Sequence, residues 1–203
     1  HQKNFSLETA EIMAGTRKIC RQLHLPLQSG STAILGMMKR GYTKEDYLEK
    51  VARLRGLIPE ICLSTDIIVG FPGETEKDFE ETLKVMEEVR FANIFSFCYS
   101  PRPLTEASGF EDTVPFDEKR RRLKEVQQLQ KKIQLQSHSL LVGRVMPVLC
   151  LGRAPKTPYL YAGRNEGYQV VNFRSEQDCT GKFVDVRIRA YGPFSLSGER
   201  SDD

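Results

Sequence analysis

The chain has no closely spaced cysteines. Cys20, Cys62, Cys98, Cys150 and Cys179 are scattered through 203 residues, and no two stand in a CxxC or CxxxCxxC pattern. That spacing leaves no recognisable zinc or iron–sulfur site, so the metal ligands expected from the sequence are none. An odd number of scattered thiols in apolar contexts fits core packing in a reducing, cytosolic-type compartment, not a disulfide framework. Long hydrophobic runs are also missing. No segment is long enough to cross a bilayer, and the first residues hold no signal-peptide pattern. Charge of one sign is scarce too: 30 basic against 27 acidic residues leave a net +3. Any contact with nucleic acid therefore has to come from a local patch.

What is present is enough for a packed core: 39% hydrophobic residues, including 11 Phe and 7 Tyr. The stretch from Ser64 to Thr75 organises the rest. An apolar run, Ile67 to Val69, ends in a Gly-Phe-Pro-Gly turn, and Thr75 caps a helix with Asp78 as a capping-box partner. This reads as a buried parallel strand, a sharp turn and a helix N-terminus. Ligands of α/β folds sit just beyond the carboxyl ends of such strands. Gly70 and Gly73 lack a Cβ, so a flat ligand could lie against the backbone there.

Helical patterns also cover 6–15, a segment after Ser31, and the stretch from Thr43 to Pro59. A short strand near Ile19–Leu25 and a second apolar strand from Ile94 to Tyr99 complete an alternation of strands and helices, which means βαβ units and a parallel sheet. A full (β/α)₈ barrel takes roughly 250 residues, so the first part holds only about three units. A chain that opens on His1 and runs straight into a helix reads as a piece of something longer. Residues 116–138 form a long polar helix. Its inner stripe is read as Leu123, Val126, Leu129 and Ile133, and its solvated face as the run from Lys119 to Arg122 with Lys124, Lys131 and Lys132. After Ser139 short strands alternate with turns at 143–151, 159–163, 168–173 and 182–190, the pattern of a small β-barrel. The expected domains are thus 1–138 and 139–198, with 199–203 as a disordered tail.

Four blocks carry a resemblance: His24-Leu25-Pro26-Leu27-Gln28-Ser29-Gly30-Ser31, Met38-Lys39-Arg40-Gly41-Tyr42-Thr43, Asp66 to Thr75, and Phe97-Cys98-Tyr99-Ser100-Pro101-Arg102-Pro103. In order and at consistent separations, they resemble the radical-SAM methylthiotransferases. Gly163-Arg164-Asn165, Val171-Asn172-Phe173, Gly181 to Val186 and Ser195 to Glu199 are similar to that family's terminal TRAM domain. The resemblance implies a partial radical-SAM (β/α) barrel followed by a small all-β, OB-like TRAM barrel. The family's cluster-binding domain and first barrel strands precede the matched blocks. With them go the CxxxCxxC motif of the radical-generating [4Fe–4S] cluster and the cysteines of a second, sulfur-donating cluster. Two departures from the family pattern are Gln2, where Pro is usual, and Leu104, where Gly is usual.

The implied activity is methylthiolation of C2 of N6-isopentenyl-adenosine in tRNA, with S-adenosyl-L-methionine (SAM) and two [4Fe–4S] clusters as cofactors. Catalytic residues within this chain are expected to be none, and the chain alone is expected to be inactive. Residues expected to meet SAM are Gln28, Ser29, Arg40, Ile68, Val69, Gly70, Phe71 and Tyr99. Those expected to meet RNA are Arg102, Arg164, Asn165, Tyr168 and Lys182. Gly73 and Glu74 are read as the structure of the turn, and His24 as a satisfied interior histidine. The implied partners are tRNA, sulfur or iron–sulfur delivery proteins and electron donors, for a monomeric, cytoplasmic protein without a membrane anchor. Two alternatives stay open. One is a non-catalytic RNA-binding module. The other is a methylthiotransferase for threonylcarbamoyl-adenosine in tRNA or for a ribosomal protein. The Gln28-Ser29-Gly30-Ser31 and Arg40-Gly41-Tyr42 blocks look unlike the ribosomal-protein branch, and Arg102-Pro103 leans towards isopentenyl-adenosine.

Overall fold

Two sheets of opposite character organise the chain. The computed structural model describes residues 5–101, 103, 105–154 and 160–201. It divides into two compact units, one from His1–Thr16 and Leu23–Lys131, the other from Arg17–Gln22 and Lys132–Asp203. The division falls inside the long helix, seven residues before the expected boundary at 138.

The first unit runs α1 (Leu7–Gly15), β1 (Gln22–His24), α2 (Thr32–Met37), α3 (Lys44–Leu57), β2 (Cys62–Val69), α4 (Glu76–Val89), β3 (Asn93–Cys98), a single 3₁₀ turn (Glu106–Gly109) and most of α5 (Phe116–Ser139). The sheet order is β1-β2-β3, and β2 pairs with β3 in parallel from Ser64↔Asn93 to Val69↔Cys98. Both crossover helices start on complete capping boxes, Thr43 with Asp46 and Thr75 with Asp78. Each box satisfies two N–H groups that a helix start otherwise leaves without partners.

Strand alternation sorts β2 into two faces. Leu63, Thr65, Ile67 and Val69 are all buried on one face. Tyr47, Val51 and Leu54 of α3 and Phe79, Val85 and Met86 of α4 supply the buried helical layer. Burying each such side chain stabilises the unit by about 1.5–3 kcal/mol. Pro26 has no N–H for the ladder, and side chains take over around it. Thr65 Oγ1 donates to Leu25 O and accepts from Leu27 N, both at 2.8 Å. The hydroxyls of Tyr47 and Tyr42 donate to the carbonyls of Leu25 (2.9 Å) and Leu27 (3.0 Å). Burial holds the Tyr42 hydroxyl above its ordinary pKa, so it stays a donor.

The helix α5 corrects one expectation. Its buried residues include Lys119, Arg122, Val126, Gln130 and Ile133, whereas Leu123 and Leu129 are half-buried. Lys119 and Arg122, read from the sequence as solvated, are only 4% and 5% exposed. Each is drawn inward by a carboxylate: Lys119 Nζ meets Asp112 at 2.6 Å, and Arg122 meets Glu74 at 2.8 Å.

The second unit is a closed five-stranded barrel of β4 (Val145–Arg153), β5 (Leu160–Arg164), β6 (Val170–Arg174), β7 (Phe183–Tyr191) and β8 (Leu196–Arg200), ordered β4-β5-β6-β8-β7. Only β6 and β8 run parallel. This is the OB-like arrangement that the resemblance implied. Val148, Val171, Phe173, Val186, Ile188 and Leu196 fill the interior. Gly163 faces that interior, where a Cβ would stand 2.5 Å from Val148 Cγ1. Cys150 and Cys179 are buried with their sulfurs 3.2 Å apart, and burial pushes the Cys150 thiol up to about 11. The expected disordered tail, 199–203, is corrected at its first residues, while Asp202 and Asp203 lie outside the described residues. Glu199 and Arg200 belong to β8, where Gly198 and Glu199 pair with Phe173 and Arg174. The polar, charged sequence hid a strand whose outward side chains are solvated.

Candidate functional site

The residues read as a cofactor site converge on the carboxyl ends of the parallel strands. Gln28 is bridged to β2: its N–H donates to Asp66 O (2.8 Å), and its carbonyl accepts from Ile68 N (2.9 Å). Tyr99 N donates to Val69 O (2.8 Å) on the other side. Gln28, Ile68, Val69, Gly70, Phe71 and Tyr99 thus form one continuous edge. Gln28 holds φ +74, a left-handed conformation uncommon outside glycine that concentrates at functional sites. Phe71 is buried, with Tyr99 edge-on at 5.0 Å and Phe110 at 6.2 Å.

Individual placements differ from the expectation. The side chain of Val69 lies in the covered layer, so only its backbone reaches the edge. Ser29 is fully buried and does not face the mouth. Its Oγ lies 3.5 Å from Thr82 Oγ1 and accepts from Ser31 N (3.2 Å). Gly30 packs directly on α4, where a Cβ would stand 2.5 Å from Glu81 O. That close approach draws Ser29 onto the helix. At Gly70 (φ +69) the place a Cβ would take is filled by Lys119, whose Cγ lies 2.3 Å from it; at Gly73 (φ +82) Met37 Cε is 3.3 Å away. The glycines thus admit the protein's own side chains on that side. Arg40 is half-buried and close enough to oppose, electrostatically, the raised pKa of Tyr42. Its Nε is buried without a hydrogen-bond partner.

The turn after β2 is held by charge. Gly70 N donates to Glu74 Oε2 at 2.6 Å, and Arg122 Nη1 donates to the same oxygen (2.8 Å) and to Glu74 O (3.0 Å). Burial raises the Glu74 carboxyl above its ordinary pKa, with Gly70 N–H and Arg122 pulling the other way. Both donors address Oε2, while Oε1 is buried without a hydrogen-bond partner.

The other face of β2 carries a group that sequence reasoning placed differently. His24, Ser64, Asp66, Ile68, Phe95 and Phe97 share it, and Phe95 and Phe97 are 49% and 54% exposed. His24 was read as interior, yet it is exposed here. Its Nδ1 lies 3.1 Å from Ser64 Oγ and its Nε2 3.3 Å from Asp66 Oδ2, while Gln28 Nε2 donates weakly to the same oxygen at 3.5 Å. The alternation Ser64-Thr65-Asp66-Ile67-Ile68 was the available signal, since it sends Ser64, Asp66 and Ile68 to one side.

In the barrel, Arg164 and Tyr168 sit together at the β5–β6 hairpin. The guanidinium lies over the ring at 4.5 Å, and Nη1 donates to Tyr168 O at 2.7 Å. Asn165 is buried and occupied. It accepts from Gln169 N (2.9 Å) and donates to Gln169 Oε1 (2.8 Å), closing the hairpin. Its expected contact with RNA is therefore unsupported by its placement. Lys182 is exposed just before β7. Arg102, also expected to meet RNA, and Leu104 lie outside the described residues. Among the described residues, no group of three or more His, Cys, Asp or Glu could hold a metal ion, and no helix is long and apolar enough to cross a membrane.

Comparison with known proteins follows the same division. Residues 4–86 match the Radical SAM superfamily and residues 140–200 the TRAM domain. The chain is 49% identical to a tRNA-2-methylthio-N(6)-dimethylallyladenosine synthase of Syntrophobacter fumaroxidans, over 98% of its own length and 44% of that protein. Proteins of the same name are 46% identical in Geotalea uraniireducens and 43% identical in Acetivibrio thermocellus. Each match covers 98% of this chain, but only 45% and 41% of the relative. The chain therefore spans less than half the length of these curated relatives. The chain thus carries a Radical SAM match followed by a TRAM match, and along nearly all its residues it is similar to proteins named tRNA-2-methylthio-N(6)-dimethylallyladenosine synthase.

Proposed function

We propose that the chain is the part of a tRNA methylthiotransferase that presents the far wall of a SAM site and grips tRNA, with isopentenyl-adenosine as the modified base. The continuous edge from Gln28 through Ile68–Phe71 to Tyr99 carries this reading, supported by relatives named for that modification. The residues present fit SAM. The half-buried Arg40 has an Nε without a partner, which suits a carboxylate. Ile68 offers an aliphatic face and Val69–Gly70 a backbone edge to an adenine, and the Gln28 amide is a polar anchor beside them. When bound, SAM supplies a 5′-deoxyadenosyl radical and methyl groups. The chain's own residues bind, orient and keep water out. Glu74 and Arg122 fix the Gly70 turn, and Phe71, Tyr99 and Phe110 seal it.

Among the described residues no group of His, Cys, Asp or Glu fits an iron–sulfur cluster, and this reading assigns the clusters to protein outside this chain. Sulfur-delivery and electron-donor proteins would serve that outside part. In this reading the protein is cytoplasmic and monomeric.

Equilibrium dialysis of the full-length protein with labelled SAM tests the site. Arg40→Met and Ile68→Asp are expected to weaken SAM binding by at least tenfold while the melting temperature holds. Unchanged binding in both would refute the assignment of this edge.

A further inference from the structure

We propose that the outer face of β7, β4 and β5 is a stacking platform for an unpaired RNA strand, with Phe183 and Tyr168 as its two ring surfaces. The inference rests on the reading above that the barrel engages RNA, and it names the form of RNA and the residues that take it. Register places Leu149 opposite both Phe183 and Arg164. Phe183, Leu149 and Arg164 thus lie in one row across three strands, with the two ends roughly 10 Å apart. Their neighbours in the chain, Val148, Val184 and Gly163, face the barrel interior or pack against it. Alternation therefore turns the row outward.

The row is unusual for a solvated surface. Phe183 is 72% exposed and Leu151, at the adjoining bulge, 60%. Tyr168 extends the row, because its ring is stacked on the Arg164 guanidinium. That ring is held out at a conformational cost. Tyr168 has φ +63 and is 57% exposed, and a bulky non-glycine residue persists in that region only where its surroundings impose it. Here the Asn165–Gln169 bonds and Tyr168 N donating to Asn165 O (2.9 Å) impose it. Exposed aromatic and aliphatic surface flanked by cations has one partner chemistry that uses all of it. The flat faces of unstacked bases take the rings and guanidinium, and phosphates take the positive charge. Neither Arg164 nor Lys182 forms an ion pair among the described residues, which leaves both charges for phosphate. A duplex keeps its bases stacked inside and offers the rings nothing.

Fluorescence anisotropy with the 203-residue chain tests the proposal. The probes are an unpaired oligoribonucleotide of about ten nucleotides, within the reach of one OB-type barrel, and a duplex of the same length. Phe183→Ala and Tyr168→Asn are each expected to weaken the single strand about 5- to 100-fold. Asn tolerates the left-handed backbone at 168, and unchanged circular-dichroism melting verifies folding. Duplex binding should change less than twofold. Phe183→Trp should retain affinity and, as the only tryptophan of the chain, lose fluorescence on saturation. Phe194→Ala, an exposed ring outside the row, should bind as the parent does. If Phe183→Ala and Tyr168→Asn bind the single strand as the parent does, the platform is wrong and the RNA reading stands. If the parent binds neither RNA at low salt, the RNA reading falls and the platform with it.

Discussion

The parallel sheet and the barrel handle their exposed surface in opposite ways. In the barrel every strand is paired on both sides, and one interior takes all the inward side chains. In the parallel sheet β2 is sealed on its helical face, while the opposite face leaves Phe95 and Phe97 about half exposed. The barrel thus derives its order from apolar packing around a closed ladder. The front unit adds buried charge and side-chain bonds at the points where its backbone turns: Glu74 with Arg122, Thr82 under Gly30, Thr65 beside Pro26. The same contrast marks the candidate sites. The proposed cofactor edge is made of buried and half-buried, pinned groups, whereas Tyr168 and Lys182 of the proposed RNA residues stand out from a rigid core.

The comparison can be broken by deletion in each unit. Phe173→Ala removes a fully buried ring from the barrel and should cost about 3–5 kcal/mol. Hydrogen exchange should then lose protection in β4–β8 and keep it in β2. Loss of protection in β2 to the same degree would show that the barrel's order is not its own. Glu74→Ala should cost about 3 kcal/mol, the low end for an orphaned buried charge, because Arg122 keeps Glu118 and Glu76 as partners. Protection should fall at Gly70 and along β2, with the barrel unaffected. The smallest effect is electrostatic. The Glu118 carboxyl is lowered to about 2, first by its bond to Arg121. A lowered carboxylate stabilises fully above its unfolded pKa, here near the 4.5 reference, and the contribution is lost as pH falls from there through about 2. Because Glu118 is 29% exposed, less than about 1 kcal/mol is at stake. Glu118→Gln should lower the melting temperature at pH 7 by the equivalent of that amount and converge on the parent near pH 2, so that the acid limb of the profile is flatter.

Periodicity and capping made most of the front unit legible. Thr43 and Thr75 with their acidic partners marked helix starts, and the Ile67–Val69 run marked β2. What periodicity could not resolve was polar burial. A run of Lys and Arg in α5 has the composition of a solvated face, and only the tertiary positions of Glu74 and Asp112 turn Lys119 and Arg122 inward. Ser29 failed for a similar reason, since its partner Thr82 is more than fifty residues away in sequence. In the barrel, β8 was missed because Ser-Gly-Glu-Arg has the composition of a tail; its parallel pairing with β6 is a long-range contact. Asn165 has the residue type of an RNA contact, but the fold buries it and bonds its amide to Gln169.

The most direct measurement is mass spectrometry of tRNA nucleosides from cells in which the gene encoding this chain is deleted and then restored. Loss of 2-methylthio-N6-isopentenyl-adenosine on deletion, with N6-isopentenyl-adenosine accumulating in its place and the methylthio group returning on complementation, is the expected result. Persistence of the methylthiolated nucleoside in the deletion strain would contradict the proposed function.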